Sequence, residues 1–198
     1  MTWIRVITPQ EAEGRLADIY PRIASKDGQV DNVLQVHSLR PRTLDAHLSI
    51  YKAVMHSSPC DLSLRERELL GSYVSWVNRC DYCIDHHLAG LGLILGNPAL
   101  ARRLMFEADG APGGHLTQRE RAMLAYAKKL TLEPSEMRKT DLAAMRALGM
   151  SDDAILDVNQ VVAYFAYANR TVLGLGVSVD GETLGLHPGE GEGELGHR

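Results

Sequence analysis

Apolar positions along the chain recur at helical spacing, and no convincing strand pattern interrupts them. Leu16, Ile19, Tyr20 and Ile23 form one stripe that predicts a first helix over residues 10–25, and residues 42–56 follow Pro41 as a second. Ser63-Leu-Arg-Glu66 and Thr117-Gln-Arg-Glu120 are capping boxes: the hydroxyl accepts a backbone amide and the glutamate returns the bond. Each precedes an apolar run. Residues 63–95 carry at least two helices, and Asn97-Pro98 opens another that runs to about Ala108, before a loop containing Gly110, Pro112, Gly113 and Gly114. A helix from Thr117 to Leu130, a break at Pro134, a resumption from Lys139 to Leu148 capped by Gly149, and a long apolar helix from Ser151 to about Leu173 complete the series. The expected fold class is all-α, a helical bundle in one domain over residues 1–179.

The run Leu62-Ser-Leu-Arg-Glu-Arg-Glu-Leu-Leu70 matches Leu116-Thr-Gln-Arg-Glu-Arg-Ala-Met-Leu124 at an offset of 54. This echo suggests a duplicated helical unit, with halves near 62–108 and 116–173. Carried forward, the offset sets Ala122 opposite Glu68, Pro134 opposite Cys80 and Met137 opposite Cys83, so the reactive residue types occur in one copy only. Residues 180–198 hold six glycines and five acidic residues with little to bury, which predicts a loosely held tail.

Charge and cysteine usage narrow the function. A net charge of −4 leaves no basic stripe for nucleic acid. The opening residues do not read as a secretory signal, and apolar stretches such as Leu88 to Leu95 fall far short of the ~20 residues a bilayer requires. Three cysteines, two of them three residues apart, are no disulfide framework; in the cytoplasm, the expected compartment, such spacing suggests redox or metal chemistry.

The segment Asn78-Arg-Cys-Asp-Tyr-Cys-Ile-Asp-His-His87 carries that chemistry. Cys80 and Cys83 share one helix face, close enough for a small disulfide ring, and a helix N-terminus favours the thiolate. His86 and His87 lie three and four residues beyond Cys83, where an imidazole can take the thiol proton. Glu68 precedes Cys80 by twelve residues; in one straight helix the two would stand roughly 18 Å apart on different faces. For Glu68 to orient His87, the chain must break between them, and Asn78-Arg79 is the expected place.

Glu68, Cys80, Cys83 and His87 at these spacings resemble the active-site pattern of the AhpD alkylhydroperoxidases, within the carboxymuconolactone decarboxylase-like superfamily. Gly14-Arg-Leu-Ala-Asp-Ile-Tyr20, Leu64-Arg-Glu-Arg-Glu68 and Asn169-Arg170 are similar to its peroxidase-related branch. The resemblance implies an AhpD-like helical bundle, commonly trimeric or hexameric, and a thiol-dependent, peroxiredoxin-type peroxidase without cofactor or metal. Glu68 and His87 would relay protons for Cys80 and Cys83, a hydroperoxide would be the substrate, and a dithiol or protein thiol the reductant. The chain departs from the pattern at Tyr82, where the best-known members carry histidine. A phenol with a pKa near 10 does not shuttle protons at neutral pH as imidazole does.

Several alternatives stand beside this reading. Zinc would find at most three nearby ligands in Cys80, Cys83 and one of His86 or His87, with Cys60 an arbitrary fourth. Haem attachment fails because Ile84, not histidine, follows Cys83. A decarboxylase acting on a lactone acid, with no obvious need of two cysteines, and a non-enzymatic redox-sensing oligomer are the functional rivals. Either Cys83 attacks first and Cys80 resolves, or an exposed Cys80 meets a partner first. His86 is read as support for the site or as exposed; His37, His47, His56 and His115 as satisfied or solvent-facing; Tyr73, Trp76 and Tyr82 as walls of the site or an interface; Cys60 as inert.

Overall fold

The computed structural model describes residues 2–25 and 28–185 of the 198. Among the described residues there are nine α-helices and three 3-10 turns, and no strand. The helices are α1 (Gly14–Ile23), α2 (Asn32–Gln35), α3 (Pro41–Met55), α4 (Leu64–Asn78), α5 (Asp81–Leu95), α6 (Pro98–Ala108), α7 (Gln118–Leu132), α8 (Ala143–Ala147) and α9 (Asp152–Leu175).

Local chemistry sets most of these boundaries. Ser63 and Thr117 cap α4 and α7 through complete capping boxes, Asn97 caps α6 ahead of Pro98, and Ser151 caps α9. The first helix covers its apolar stripe but is shorter than the expected span of residues 10–25. A 3-10 turn (Pro9–Glu11) closes on its own Thr8–Glu11 capping box, and α1 restarts only at Gly14. The expected Lys139–Leu148 helix divides into a 3-10 turn (Lys139–Leu142) and α8, because Asp141 ties back to the amide of Arg138 and to Lys129. α2 falls in a segment with no helical expectation.

α4 is the hub, packing on α5, α6, α7, α9 and α3. Its stretch from Glu68 to Ser75 is buried on every side, so it lacks the one-sided apolar stripe of a surface helix. Leu69, Leu70, Tyr73 and Val74 enter the main core with Leu91, Leu104, Met123, Val158 and Phe165. A smaller cluster of Leu16, Ile19, Tyr20, Ile23 and Leu44 seats α1 on α3. A third, of Val36, Cys80, Tyr82, Cys83, Val172 and Val177, surrounds the cysteines.

The starts of α4 and α7 grip one another reciprocally. Arg65 Nε donates to Glu120 at 2.6 Å and Arg119 Nε to Glu66 at 2.7 Å; Arg65 Nη2 donates to the carbonyl of His115 and Arg119 Nη2 to that of Asp61, both at 3.2 Å. Each partner is displaced from its counterpart by the 54 residues of the sequence echo. Glu120 is buried, which alone would raise its pKa, but Arg65 and the Thr117 cap outweigh this and hold its carboxyl below the usual range.

Helix α9 reaches α4 at Gly71. A Cβ at this position would lie 2.3 Å from Cζ of Phe165, so only glycine permits the approach. Gly71→Ala therefore tests the packing by sign. Helix propensity alone would stabilise the variant by about 1 kcal/mol, whereas overpacking against Phe165 costs about 1–3 kcal/mol. Urea denaturation should show net destabilisation; a gain would mean that Phe165 is free to move aside.

Candidate active site

The break between α4 and α5 builds the site. Arg79 adopts a left-handed conformation (φ 55°), its amide donates to Trp76 O at 3.1 Å and the Cys80 amide to Ser75 O at 3.0 Å. These two bonds form a Schellman closure that ends α4 and lets α5 return along it. Glu68, buried on α4, meets His87 on α5, with Oε2 2.8 Å from Nδ1. A carboxylate there takes the Nδ1–H and leaves Nε2 as the basic nitrogen of the neutral ring. Phe165 packs edge-on against the same imidazole at 4.6 Å.

Cys80 and Cys83 are free thiols in hydrogen-bond contact with each other. Cys80 stands at the N-cap of α5. The Cys83 thiol donates to its sulfur, and this, more than the Cys83 amide, lowers the Cys80 pKa against the cost of burial. Cys83 is displaced upward because it is the donor of that bond, because it is buried, and because negative charge on Cys80 opposes a second thiolate. Of the two thiols, Cys80 is thus the more acidic and Cys83 the less. Asn169 and Ser75 also contact the Cys83 sulfur and favour its thiolate. Asn169 is held in place by bonds to Ser75 Oγ at 3.1 Å and from Asn78 at 2.9 Å.

A cavity of about 100 Å³ opens onto this group and is lined by Glu68, Cys83, His86, His87, Tyr51 and Tyr82, with apolar walls from Leu34, Leu48 and Phe165. The four expected site residues are therefore brought together, but unequally. Cys83, 4% exposed, lines the cavity; Cys80, 0% exposed, lies behind it. An exposed Cys80 as first point of contact is overturned, since α5 and the Val172–Val177 cluster enclose the helix start.

Other residues correct the sequence reading. Tyr82 walls the cavity, whereas Tyr73 and Trp76 turn away and bond Asp109 at 3.0 and 2.9 Å. His86 is not exposed: its Nε2 lies 2.9 Å from Glu182, in the segment expected to be a loose tail. Residues 180–185 are held against the domain by such bonds, and residues 186–198 lie outside the described residues. His115 is satisfied by Glu107. His47 instead lines the cavity, with Tyr164 O–H donating to Nε2 at 3.3 Å and no partner for Nδ1 among the described residues. The lone polar positions Asn169 and His47, each on an otherwise apolar helix face, were the available signals. Among the described residues, no three His, Cys, Asp or Glu side chains are grouped to hold a metal ion, and no helix is long and apolar enough to cross a membrane.

Burial, then the neighbouring His37, pushes the His47 pKa down to about 4. The ring stays neutral in the folded protein while the unfolded chain takes up a proton near pH 6.5. Stability should accordingly fall as pH drops from 6.5 towards 4, by about 3 kcal/mol in total from this group. Denaturation across that range should give a flatter curve for His47→Gln, and imidazole NMR should show no His47 titration between pH 8 and 5. An unchanged slope would remove His47 as the cause.

The profile of the carboxymuconolactone decarboxylase family matches residues 41–92, which span α3, α4 and most of α5. A comparison with curated proteins finds no match. Among solved structures, the fold is similar to the AhpD core of a peroxidase-related protein from Ralstonia eutropha JMP134, with a TM-score of 0.79, 25% identity, and coverage of 89% of this chain and 91% of that one. It is likewise similar to a peroxidase-related protein from Silicibacter sp. TM1040, with a TM-score of 0.76, 27% identity and coverage of 89% and 91%. The debrominase Bmp8, solved with 2,3,4-tribromopyrrole, shares the fold at 15% identity, a TM-score of 0.67 and coverage of 91% of each chain. The helical order, the returning α4–α5 pair and these similarities support the AhpD-like, carboxymuconolactone decarboxylase-like superfamily, in its peroxidase-related branch, as the one this chain resembles.

Proposed function

We propose that the protein is a thiol-dependent peroxidase or disulfide oxidoreductase that works through Cys80 and Cys83. The observation that carries this reading is the Glu68–His87 bond on the same cavity as the Cys83 sulfur. A buried carboxylate that fixes the imidazole tautomer leaves a base four residues from the thiol on one helix face.

The step order follows from which sulfur the cavity reaches: Cys83 lines it and Cys80 does not. A hydroperoxide enters the cavity and meets Cys83; His87 takes the thiol proton, and the thiolate attacks the distal peroxide oxygen. The O–O bond breaks, Cys83 becomes a sulfenic acid, and the alkoxide leaves as the alcohol with the proton from His87. Cys80, the more acidic of the pair, loses its proton and attacks the sulfenic sulfur, forms the Cys80–Cys83 disulfide and releases hydroxide, which that proton converts to water. Two thiols and one hydroperoxide give one disulfide, one alcohol and one water; a dithiol or protein thiol returns the two electrons. Asn169 and Ser75 offset the burial of charge on Cys83 while it is a thiolate. A partner's disulfide can replace the peroxide as electrophile in the same geometry.

Steady-state consumption of tert-butyl hydroperoxide with dihydrolipoamide tests this. Cys83→Ser and Cys80→Ser should each abolish turnover, and Glu68→Gln should lower kcat by about 10²-fold while shifting its pH profile. One oxidation per chain without turnover would identify a redox sensor. Turnover of a lactone acid that survives the double Cys→Ser change would identify a decarboxylase.

A further inference from the structure

Beside the Glu68–His87 pair, His86 on the cavity wall holds a further carboxylate from outside the lining. After α9, the chain crosses back over α5 as a strap, residues 177–185, with Gly181 and Gly185 in left-handed conformations. At Gly185 it passes so close that an added Cβ would lie 2.9 Å from Cβ of Ala89. The strap delivers Glu182, whose side chain is 1% exposed, into three donors: the backbone N–H of Asn32, Tyr82 O–H at 3.1 Å and His86 Nε2 at 2.9 Å.

We propose that these three donors form a carboxylate-binding subsite of the catalytic cavity, occupied here by Glu182 as an internal ligand, and that a carboxylate-bearing substrate takes its place. The proposal rests on the reading of this cavity as the substrate site. The donors belong to the body of the fold. Tyr82 and His86 lie one turn apart on α5 with their rings 4.6 Å apart, and the Val33 amide donates to the Tyr82 oxygen at 3.2 Å. Tyr82 and His86 are thus fixed by α5, and the Asn32 amide is held from the strap side as well, through Asn32 Nδ2 to the carbonyl of Ser178 at 2.9 Å. The carboxylate, in contrast, comes from a segment without regular secondary structure, and among the described residues no lysine or arginine pairs with it.

Burying an anion is tolerated only where hydrogen bonds replace its water, so a cradle of this kind selects carboxylates over neutral groups of the same shape. Burial and the charge of Glu182 both keep Tyr82 protonated and therefore a donor. Lys52 and Asp31 are the further charged groups on the cavity wall, one of each sign. The apolar side chains Ile23, Leu34, Leu48 and Phe165 would receive the ligand's hydrocarbon body. The substrate class that fits is a small organic acid with its reacting group on an apolar body, directed towards Cys83.

Protection of Cys83 from iodoacetamide, mapped by mass spectrometry on the full chain, tests this without turnover. In Glu182→Ala, which empties the cradle, benzoate should slow Cys83 modification about tenfold at saturation, and isosteric benzamide should do so at least about tenfold less effectively. Glu182→Gln, which removes the same charge but still fills the cradle, should show little benzoate protection, and Glu182→Ala with Tyr82→Phe should lose most of it. Equal protection by benzamide, equal protection of the Gln variant, or no protection in the Ala variant would each overturn the subsite. Lost protection with intact peroxide turnover sinks the subsite alone; intact protection without turnover sinks the peroxidase reading alone.

Discussion

The left-handed turn at Arg79 is the constraint on which the site depends. A residue with a side chain enters this conformation at a cost of about 1 kcal/mol, and it is the only non-glycine to do so among the described residues. What the turn achieves is reversal. The helix that carries Glu68 stops, its last carbonyls are satisfied by the amides of Arg79 and Cys80, and the next helix runs back so that His87 faces Glu68. The same turn puts Cys80 at a helix start, where a sulfur anion is favoured, and leaves Cys83 on the inner face. Because α4 is buried on all sides from Glu68 to Ser75, the Glu68 carboxylate is almost wholly withdrawn from water and takes the imidazole as partner.

The environment also decides which groups carry charge. Burial keeps Tyr51, Tyr82 and Tyr164 protonated and His47 neutral, so the hydroxyls remain donors. Donors converge on the Glu182 carboxylate, one imidazole meets that of Glu68, and within the thiol pair the bond from Cys83 makes Cys80 the more acidic.

Much of the fold was legible because its boundaries are written in short-range chemistry. Ser63, Asn97, Thr117 and Ser151 cap the helices they were expected to cap, and the break at Asn78-Arg79 followed from the need to bring Glu68 to His87. Elements governed by tertiary contacts were not legible. α2 is a single turn whose Asn32 is held by the strap, and no local pattern announces a strap that crosses 150 positions of sequence to do so. Glu182 was invisible for the same reason, as one acid in a glycine-rich segment. Whether Cys80 or Cys83 meets the substrate first stays open in the sequence, because the packing of Val172 and Val177 over Cys80 is a property of the chain's far end.

The reciprocal grip of Arg65 on Glu120 and Arg119 on Glu66 has a consequence for how such a site can arise. In two separate identical subunits, a contact that reads the same from both ends forces every substitution to appear twice. Once both ends lie on a single chain, each is free to diverge. The offset of 54 carries α4 onto α7, with Ala122 at the position of Glu68, while the arginine–glutamate clasp is kept at both ends; beyond it, α5 falls on two 3-10 turns and the short α8, so the chemistry has no counterpart there.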